Sequence, residues 1–281
     1  MTATVAAAPV SSFAAALSER YGDDDLATDG VWNETLATLL GHRSVRSYLP
    51  DPLPKGWLET IVAAAQSAPT SSNSQAWSVV AVEEPEQKSR LASLAGEQAH
   101  VRAAPLLLVF VADLSRAARL ATAQNSPLEG ADYLEAFLIA ALDAALAAQN
   151  AVVAAESLGL GTCYLGALRN HPEAVAREIG LPPRAAAVFG LTVGFPDATA
   201  PAAIKPRLPQ EAVLHRGRYG LGAEQRAVSR HDRASVAFRA SQGLDSTPWS
   251  ALAVDRLRSV AALKGRHTLG ASLRALGFPI V

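Results

Sequence analysis

The chain is poor in residues that form covalent cross-links or bind metals. Its 281 residues include one cysteine, Cys163, and six histidines. A single cysteine excludes an internal disulfide and a four-cysteine metal site, and it favours a reducing compartment, so we expect a cytoplasmic protein. No two histidines have the His-x-x-x-His or His-x-His spacing that is typical of metal ligands on one element. We therefore predict no protein-bound metal.

Charge is also scarce. Charged residues make up 18% of the chain, and 25 lysines and arginines against 26 aspartates and glutamates leave a net charge of −1. This balance argues against a nucleic-acid-binding surface or a polybasic membrane-binding segment. No Lys or Arg precedes Arg20, so the positively charged start of a secretory signal is missing. We expect no nucleic-acid partner and no membrane partner.

One apolar stretch, residues 136–155, is long enough to span a bilayer. Asp143, Asn150 and Ser157 fall seven residues apart, on one thin polar stripe of a helix. A buried helix of a soluble protein therefore fits better than a transmembrane helix. Because this helix is apolar on nearly all sides, we expect it to be buried all round, with a second subunit as one possible source of cover.

The remaining patterns predict many helices and few strands. Helices are expected at 53–67 and 86–94, with mainly helical structure over 223–276. Strands are expected at 77–82, 105–112, 162–165 and 188–193, and a loop at 70–73. Strands and helices do not alternate regularly, so the sequence predicts an α+β fold rather than a doubly wound parallel sheet.

The N-terminal residues differ from the rest of the chain. Residues 1–35 are interpreted as a helical extension, with an Ala-rich helix, an acidic turn at 23–25 and a helix from near Trp32. Residues 36–281 are interpreted as a single domain with a C-terminal helical excursion.

Three familiar motifs are incomplete or absent. The segment 161–166 has the glycine spacing of a phosphate-binding P-loop, but Ala167-Leu168 replaces the required Lys-Ser/Thr pair. A dinucleotide fingerprint starting at Gly159 fails because Tyr164 occupies a required glycine position. No Gly-x-Ser-x-Gly elbow occurs. Cys163 lies in an apolar strand, which favours a buried thiol over a nucleophile.

Two short basic segments remain, and we call them the first and second basic clips. In the first clip, residues 42–46, an extended backbone directs Ser44 and Arg46 to one side. In the second clip, residues 205–207, Pro206 restrains the chain between Lys205 and Arg207. A solvated basic turn is the alternative interpretation of either segment alone. Together, two such clips suit a phosphate monoester, a dianion that is held best by several charge-assisted hydrogen bonds.

Seven segments, in order, resemble the FMN-dependent nitroreductases, specifically the larger group of oxygen-insensitive nitroreductases and NADPH-flavin oxidoreductases. The segments are residues 42–46, 68–75, 96–100, 154–161, 164–170, 189–196 and 205–209. The resemblance implies an α+β fold with a mainly antiparallel central sheet surrounded by helices, and a homodimer with FMN at the subunit interface.

The resemblance also implies an activity. NADPH would deliver hydride to FMN and leave, and a nitroaromatic, a quinone or free flavin would then be reduced at the same site, without a catalytic acid, base or nucleophile from the protein. Two alternatives stay open. One is a flavin-binding regulatory module without turnover, and the other is a specialised branch of the family such as a reductive dehalogenase.

Motif positions imply the residues that would bind FMN. On the phosphate and ribityl side these are His42, Arg43, Ser44, Arg46, Lys205 and Arg207. Around the flavin ring these are Thr70, Gln98, His100, Tyr164, Leu165, Gly166 and Ala167. Arg266 is the candidate contact for NADPH.

Overall fold

The computed structural model describes residues 12–22, 30–200 and 202–281. The predicted acidic turn at 23–25 lies outside these described residues. The chain divides into two compact units, and the first comprises residues 1–43 and 202–263. The second unit comprises residues 44–201 and 264–281.

The described helices number eleven in chain order. They are α1 (Phe13–Tyr21), α2 (Glu34–Leu40), α3 (Trp57–Gln66), α4 (Pro85–Leu94), α5 (Ala99–Ala103), α6 (Ser115–Ala123), α7 (Leu134–Ser157), α8 (Pro172–Glu178), α9 (Glu224–Ser241), α10 (Trp249–Asp255) and α11 (Leu269–Ala275).

The second unit contains a four-stranded sheet. Its strands are β1 (Trp77–Val82), β2 (Leu106–Asp113), β3 (Gly161–Leu165) and β4 (Ala185–Gly194). They lie in the order β1-β2-β4-β3, and every neighbouring pair is antiparallel. Helices connect and cover the strands without a repeating parallel crossover, which confirms the predicted α+β class.

Both faces of the sheet are covered, because β2 alternates its side chains between two apolar clusters. Leu108 and Phe110 pack in the cluster that contains α3 and α7 residues. Leu107 and Val109 pack in the cluster that contains α4, α5 and α8 residues. A strand buried on both faces is apolar throughout, which is why β2 could be recognised from the sequence.

Two element boundaries differ from the sequence predictions. Helix α3 begins at Trp57, four residues after the predicted start at 53, because Gly56 adopts a positive φ of 87° and the Trp57 N–H donates to the Pro54 carbonyl at 3.1 Å. Strand β4 is longer than predicted and spans Ala185–Gly194, since its pairing with β2 continues beyond an irregularity at Phe110 and Val111.

Helix α7 is covered on one side and open on another within the subunit. Its length and composition would allow a membrane span, but Asp143 and the alanines beside it are buried in the core of the second unit. Leucines at four-residue spacing form an exposed ridge, and we call them the leucine ridge: Leu134, Leu138, Leu142 and Leu146. The single chain leaves this ridge exposed, so burial of α7 on all sides requires cover from outside the subunit and stays a prediction.

Candidate functional site

The second half of the first basic clip lies beside β3 in the second unit. The Val45 N–H donates to the Thr162 carbonyl at 2.9 Å, and Ser44 forms a parallel bridge with Thr162. Val45 is buried against Gly161, where a Cβ atom would lie 2.6 Å from Val45 Cγ2, so this position requires glycine. Alternation then places Ser44 and Arg46 opposite Val45, and Arg46 is exposed.

Tyr48 anchors this segment from inside the fold. Its hydroxyl donates to the Val45 carbonyl at 2.7 Å and lies 2.8 Å from the Thr192 Oγ1 of β4. Burial raises the pKa of Tyr48 far above its usual value, so the hydroxyl keeps its proton. Sequence reasoning did not identify Tyr48, because its partner Thr192 is distant along the chain.

Helix α5 contributes a buried imidazole to the second unit. His100 is 8% exposed, and no partner for its buried Nε2 atom lies within hydrogen-bonding distance in the part of the chain that the structure describes. Burial, and then the positive charge of Arg46, lower the pKa of His100, so the ring is neutral at neutral pH. A buried polar atom without a partner is unusual, and it suits a polar atom of a bound ligand.

The segment after β3 contains the other predicted ring contacts. The Tyr164 ring is partly exposed and packs edge-on against Phe189, with ring centroids 5.3 Å apart. Leu165 is buried, and the chain then turns through Gly166–Asn170. Arg169 donates to the Val188 carbonyl behind this turn.

Arg266, the predicted NADPH contact, is held by hydrogen bonding within the second unit. Its Nε donates to Asn170 Oδ1 at 2.9 Å. The side chain therefore contacts the end of the turn that begins at Gly166. Its contact with NADPH stays a prediction.

The loop at residues 70–76 has a strained backbone. Ser72, Asn73 and Gln75 have φ values of 49°, 55° and 50°, in the left-handed region that favours glycine. Such conformations persist only where the surroundings enforce them. Thr70 contributes one long hydrogen bond, in which its Oγ1 accepts from the Gln75 N–H at 3.4 Å.

Asp143 of α7 enforces the conformation of this loop. It is 2% exposed, and its carboxylate accepts from the Ser71 N–H at 3.0 Å and from the Ala76 N–H at 3.1 Å. The Ser74 hydroxyl lies at 3.5 Å from the same carboxylate. One residue of the predicted polar stripe on α7, Asp143, therefore binds the main chain of this loop. The sequence spacing placed Asp143 on the stripe but did not show what it binds.

Arg116 of α6 also holds the C-terminal end of the loop. Its guanidinium donates to the Gln75 carbonyl at 2.8 Å and to the Ser78 hydroxyl at 3.1 Å. Asp113 accepts from the Ser78 hydroxyl at 2.6 Å and from Ser115. Burial alone would raise the pKa of Asp113, but hydrogen bonds from Ser115 and Ser78 lower it below its usual value.

The first unit contains the second basic clip and residues 42–43 of the first clip. Lys205 and Arg207 have exposed side chains, whereas His42 and Arg43 are half-buried. The Arg207 N–H donates to the Arg20 carbonyl at 2.8 Å. Sequence reasoning did not connect Arg20 with either clip, because no spacing rule relates residues so far apart.

In residues 12–22, 30–200 and 202–281, no group of three His, Cys, Asp or Glu side chains is placed to hold a metal ion. Cys163 is buried in β3. The exposed side chains of Arg46, Lys205 and Arg207 are cations, which suit an anionic ligand.

Comparison with known proteins assigns the family. The sequence model of the nitroreductase family matches residues 39–195, and that of the nitroreductase family C-terminal domain matches residues 205–281. The chain is 41% identical over 193 residues to the FMN reductase (NADPH) of Bacillus subtilis strain 168, covering 68% of this chain and 77% of that protein.

Two further proteins extend the similarity. The chain is 40% identical over 187 residues to the NADPH-flavin oxidoreductase of Vibrio harveyi, covering 66% of this chain and 75% of that protein. The solved structure of the NfrA1 nitroreductase from B. subtilis superposes with a TM-score of 0.82 at 35% identity, covering 88% of this chain and 99% of that one. The sequence matches span more than half of the chain and the structural match spans most of it, so the protein is a member of the nitroreductase family.

Proposed function

We propose that the protein is an FMN-dependent oxidoreductase that takes hydride from NADPH and reduces nitroaromatics, quinones or free flavin in a ping-pong reaction. The observation that carries the proposal is the buried His100 Nε2, which has no hydrogen-bond partner among the described residues, at a position that family motifs assign to the flavin edge. The names of relatives, an FMN reductase (NADPH) and an NADPH-flavin oxidoreductase, support the same activity.

The residues proposed to bind FMN fall into two groups. The cations and the hydroxyl of the two clips suit the phosphate and ribityl chain: His42, Arg43, Ser44, Arg46, Lys205 and Arg207. The second group suits the ring: Thr70, Gln98, His100, Tyr164, Leu165, Gly166 and Ala167. The exposure of Arg46, Lys205 and Arg207 supports their assignment, because a phosphate dianion needs accessible guanidinium and ammonium groups.

The protein supplies position and charge rather than an acid or a base. When bound, FMN supplies the hydride-carrying group. His100 acts as a neutral hydrogen-bonding partner, because burial lowers its pKa. The 70–76 loop keeps one shape because Asp143 and Arg116 hold it from both ends.

We also propose a homodimer. The leucine ridge of α7 presents four large apolar side chains on one helix face, at 45% to 55% exposure. A contiguous exposed apolar stripe is typical of an interface, and a second copy would cover it. The single cysteine supports a cytoplasmic location.

The test uses the purified protein as isolated. Heat denaturation should release FMN and not FAD, and NADPH should be oxidised when menadione is added. We expect NADPH to be preferred over NADH by about 10- to 100-fold in kcat/KM at low ionic strength, since one well-placed cation on the 2′-phosphate contributes about 1.5 to 3 kcal/mol. Arg266→Ala should reduce that ratio.

Different outcomes separate the alternatives. Protein that binds FMN without oxidising NADPH would favour the regulatory module. Turnover with a halogenated substrate, but not with menadione or nitroaromatics, would favour the dehalogenase. Colourless protein that fails to bind added FMN would refute the proposal.

A further inference from the structure

Arg20, near the end of α1, is a buried cation that contacts two distant parts of the first unit. Its side chain is 6% exposed. One guanidinium nitrogen donates to the Leu40 carbonyl at 2.6 Å and to the His42 carbonyl at 2.7 Å, and the other donates to the Lys205 carbonyl at 3.2 Å. The Arg20 carbonyl accepts from the Arg207 N–H at 2.8 Å. One residue thus ties together the main chains of both basic clips.

The chemistry of arginine explains why this residue can make the link. A guanidinium offers five N–H donors in a rigid planar fork, so it can reach several carbonyls at once. Leu40 is the last residue of α2, whose final carbonyls lack partners within the helix and carry partial negative charge. The Arg20 guanidinium therefore donates to a free carbonyl at the end of α2 and also to a carbonyl of the second clip.

The end of α1 is shaped for this contact. Gly22 caps the helix in the left-handed conformation, and its N–H donates to the Ser18 carbonyl at 2.8 Å. A Cβ atom at Gly22 would lie 3.0 Å from Ala234 Cβ and 3.9 Å from Pro206 Cγ. The chain thus passes close to α9 and to the middle residue of the second clip, and glycine permits this approach.

The Lys205 and Arg207 side chains of the second clip are exposed, and the Arg207 guanidinium also donates to the Lys205 carbonyl at 3.3 Å and to the Pro206 carbonyl at 3.4 Å. Arg20 binds the main chain of the clip, whereas the side chains of Lys205 and Arg207 are exposed. His231 of α9 adds a hydrogen bond to the main chain of Arg207. Cations on a backbone fixed in this way lose less conformational freedom when they bind an anion than cations on a mobile loop.

We propose that Arg20 is a positioning residue for the phosphate of FMN, and that α1 of the N-terminal extension holds the main chain at the start of the first basic clip next to the second basic clip. The proposal rests on the proposed function, because it assumes that the clips bind the FMN phosphate. Arg20 itself is buried and acts through the main chain of residues 40–42 and 205–207.

The test compares FMN with riboflavin, which lacks the phosphate. Apo-protein is titrated with each flavin, and quenching of flavin fluorescence gives the two dissociation constants. The ratio of the riboflavin Kd to the FMN Kd measures the contribution of the phosphate. We expect Arg20→Met to lower this ratio at least about tenfold, equivalent to 1.4 kcal/mol, while the riboflavin Kd stays within about twofold.

Two further variants sharpen the test. Arg20→Lys keeps the charge but not the planar fork, so one ammonium cannot reach all three carbonyls, and we expect an intermediate ratio. Arg239→Met is the matched control in the same unit, because Arg239 donates to the Asp245 carbonyl and carboxylate at 2.8 Å and not to either clip. We expect it to leave the ratio unchanged. If Arg20→Met does not fold, Arg20→Lys decides by the same ratio.

The outcomes distinguish this inference from the proposed function. An unchanged ratio in the folded Arg20 variants would overturn the positioning role, and so would an equal loss of affinity for both flavins, which indicates general destabilisation. If the wild-type protein binds neither flavin, the proposed function itself fails, and the phosphate role of Arg20 fails with it.

Discussion

Replacing Asp143 with alanine is expected to release the 70–76 loop from α7. The wild-type carboxylate accepts from the Ser71 N–H at 3.0 Å and from the Ala76 N–H at 3.1 Å. Ala76 is buried, so its N–H would lose its partner without gaining water, whereas the exposed Ser71 can bond to solvent. Losing the buried bond to the charged group costs about 1.5 to 3 kcal/mol, and losing the exposed one, which water replaces, about 0.5 to 1 kcal/mol, so we expect a total of about 2 to 4 kcal/mol.

Backbone strain also favours release of the loop from α7. Ser72, Asn73 and Gln75 have positive φ values, and each such residue stores about 1 to 3 kcal/mol. Once the carboxylate is absent, relaxation of these residues favours other loop shapes. Asp143→Asn should have a smaller effect of about 1 to 2 kcal/mol, because the amide keeps one accepting oxygen but turns its NH₂ group toward the second N–H.

The assay combines thermal unfolding with amide hydrogen exchange. For a chain of this size, the expected loss in Asp143→Ala corresponds to a Tm decrease of about 3 to 7 °C. The amides of Ser71 and Ala76 should exchange faster, while those of β2 keep their protection relative to global unfolding. Asn150→Ala is the control on the same helix stripe, because Asn150 donates to the Ala64 carbonyl at 3.2 Å and to the Ser67 hydroxyl at 3.3 Å, outside the loop.

If Asp143→Ala and Asn150→Ala have Tm values within about 2 °C of each other, and loop exchange is unchanged in both, Asp143 does not hold the loop.

Three further predictions concern the cofactor, the oligomer and pH. Arg46→Ala and Lys205→Ala should each weaken FMN binding by about 10- to 100-fold, since each removes a charge-assisted hydrogen bond worth about 1.5 to 3 kcal/mol, measured by flavin titration. Leu142→Glu, at a position 55% exposed on the leucine ridge, should convert a dimer to a monomer in sedimentation velocity. His100→Gln should reduce the loss of stability on acidification. The folded-state pKa of His100 is lowered, so its stabilising contribution is complete above the unfolded pKa of about 6.5 and is lost as pH falls toward the folded pKa.

Controls and contrary outcomes follow from the same positions. Full FMN retention by both clip variants would return the clips to solvated basic turns. Leu221→Glu, an exposed leucine outside α7, should leave the sedimentation unchanged, and an unaltered dimer in Leu142→Glu would contradict the ridge interface. An unchanged slope of Tm between about pH 7 and 5 in His100→Gln would show that His100 titrates alike in the folded and unfolded chains.

Several parts of the fold could be predicted from the sequence because their signals are local. The apolar run of β2 and the long apolar stretch of α7 each depend on residues within one element. The sequence placed both elements within two residues of their observed bounds. The start of α3 was predicted too early. Gly56 has a positive φ that ends the turn before Trp57, but the apolar side chains keep helical spacing across this turn, so the sequence pattern does not show the boundary. Exposure of the leucine ridge could not be predicted, since periodicity does not say which face the core covers.

By itself, the sequence determined the α+β class, the family and the positions of the two basic clips. These depend on strand and helix periodicity and on short motifs, which are properties of neighbouring residues. Only the tertiary structure decided that Asp143 binds the amides of a loop 67 to 72 positions away, and that Arg20 reaches a carbonyl 185 positions away. The physical reason is that a buried carboxylate or guanidinium must satisfy its hydrogen bonds with whichever main-chain groups the fold brings near, and chain spacing does not specify those groups.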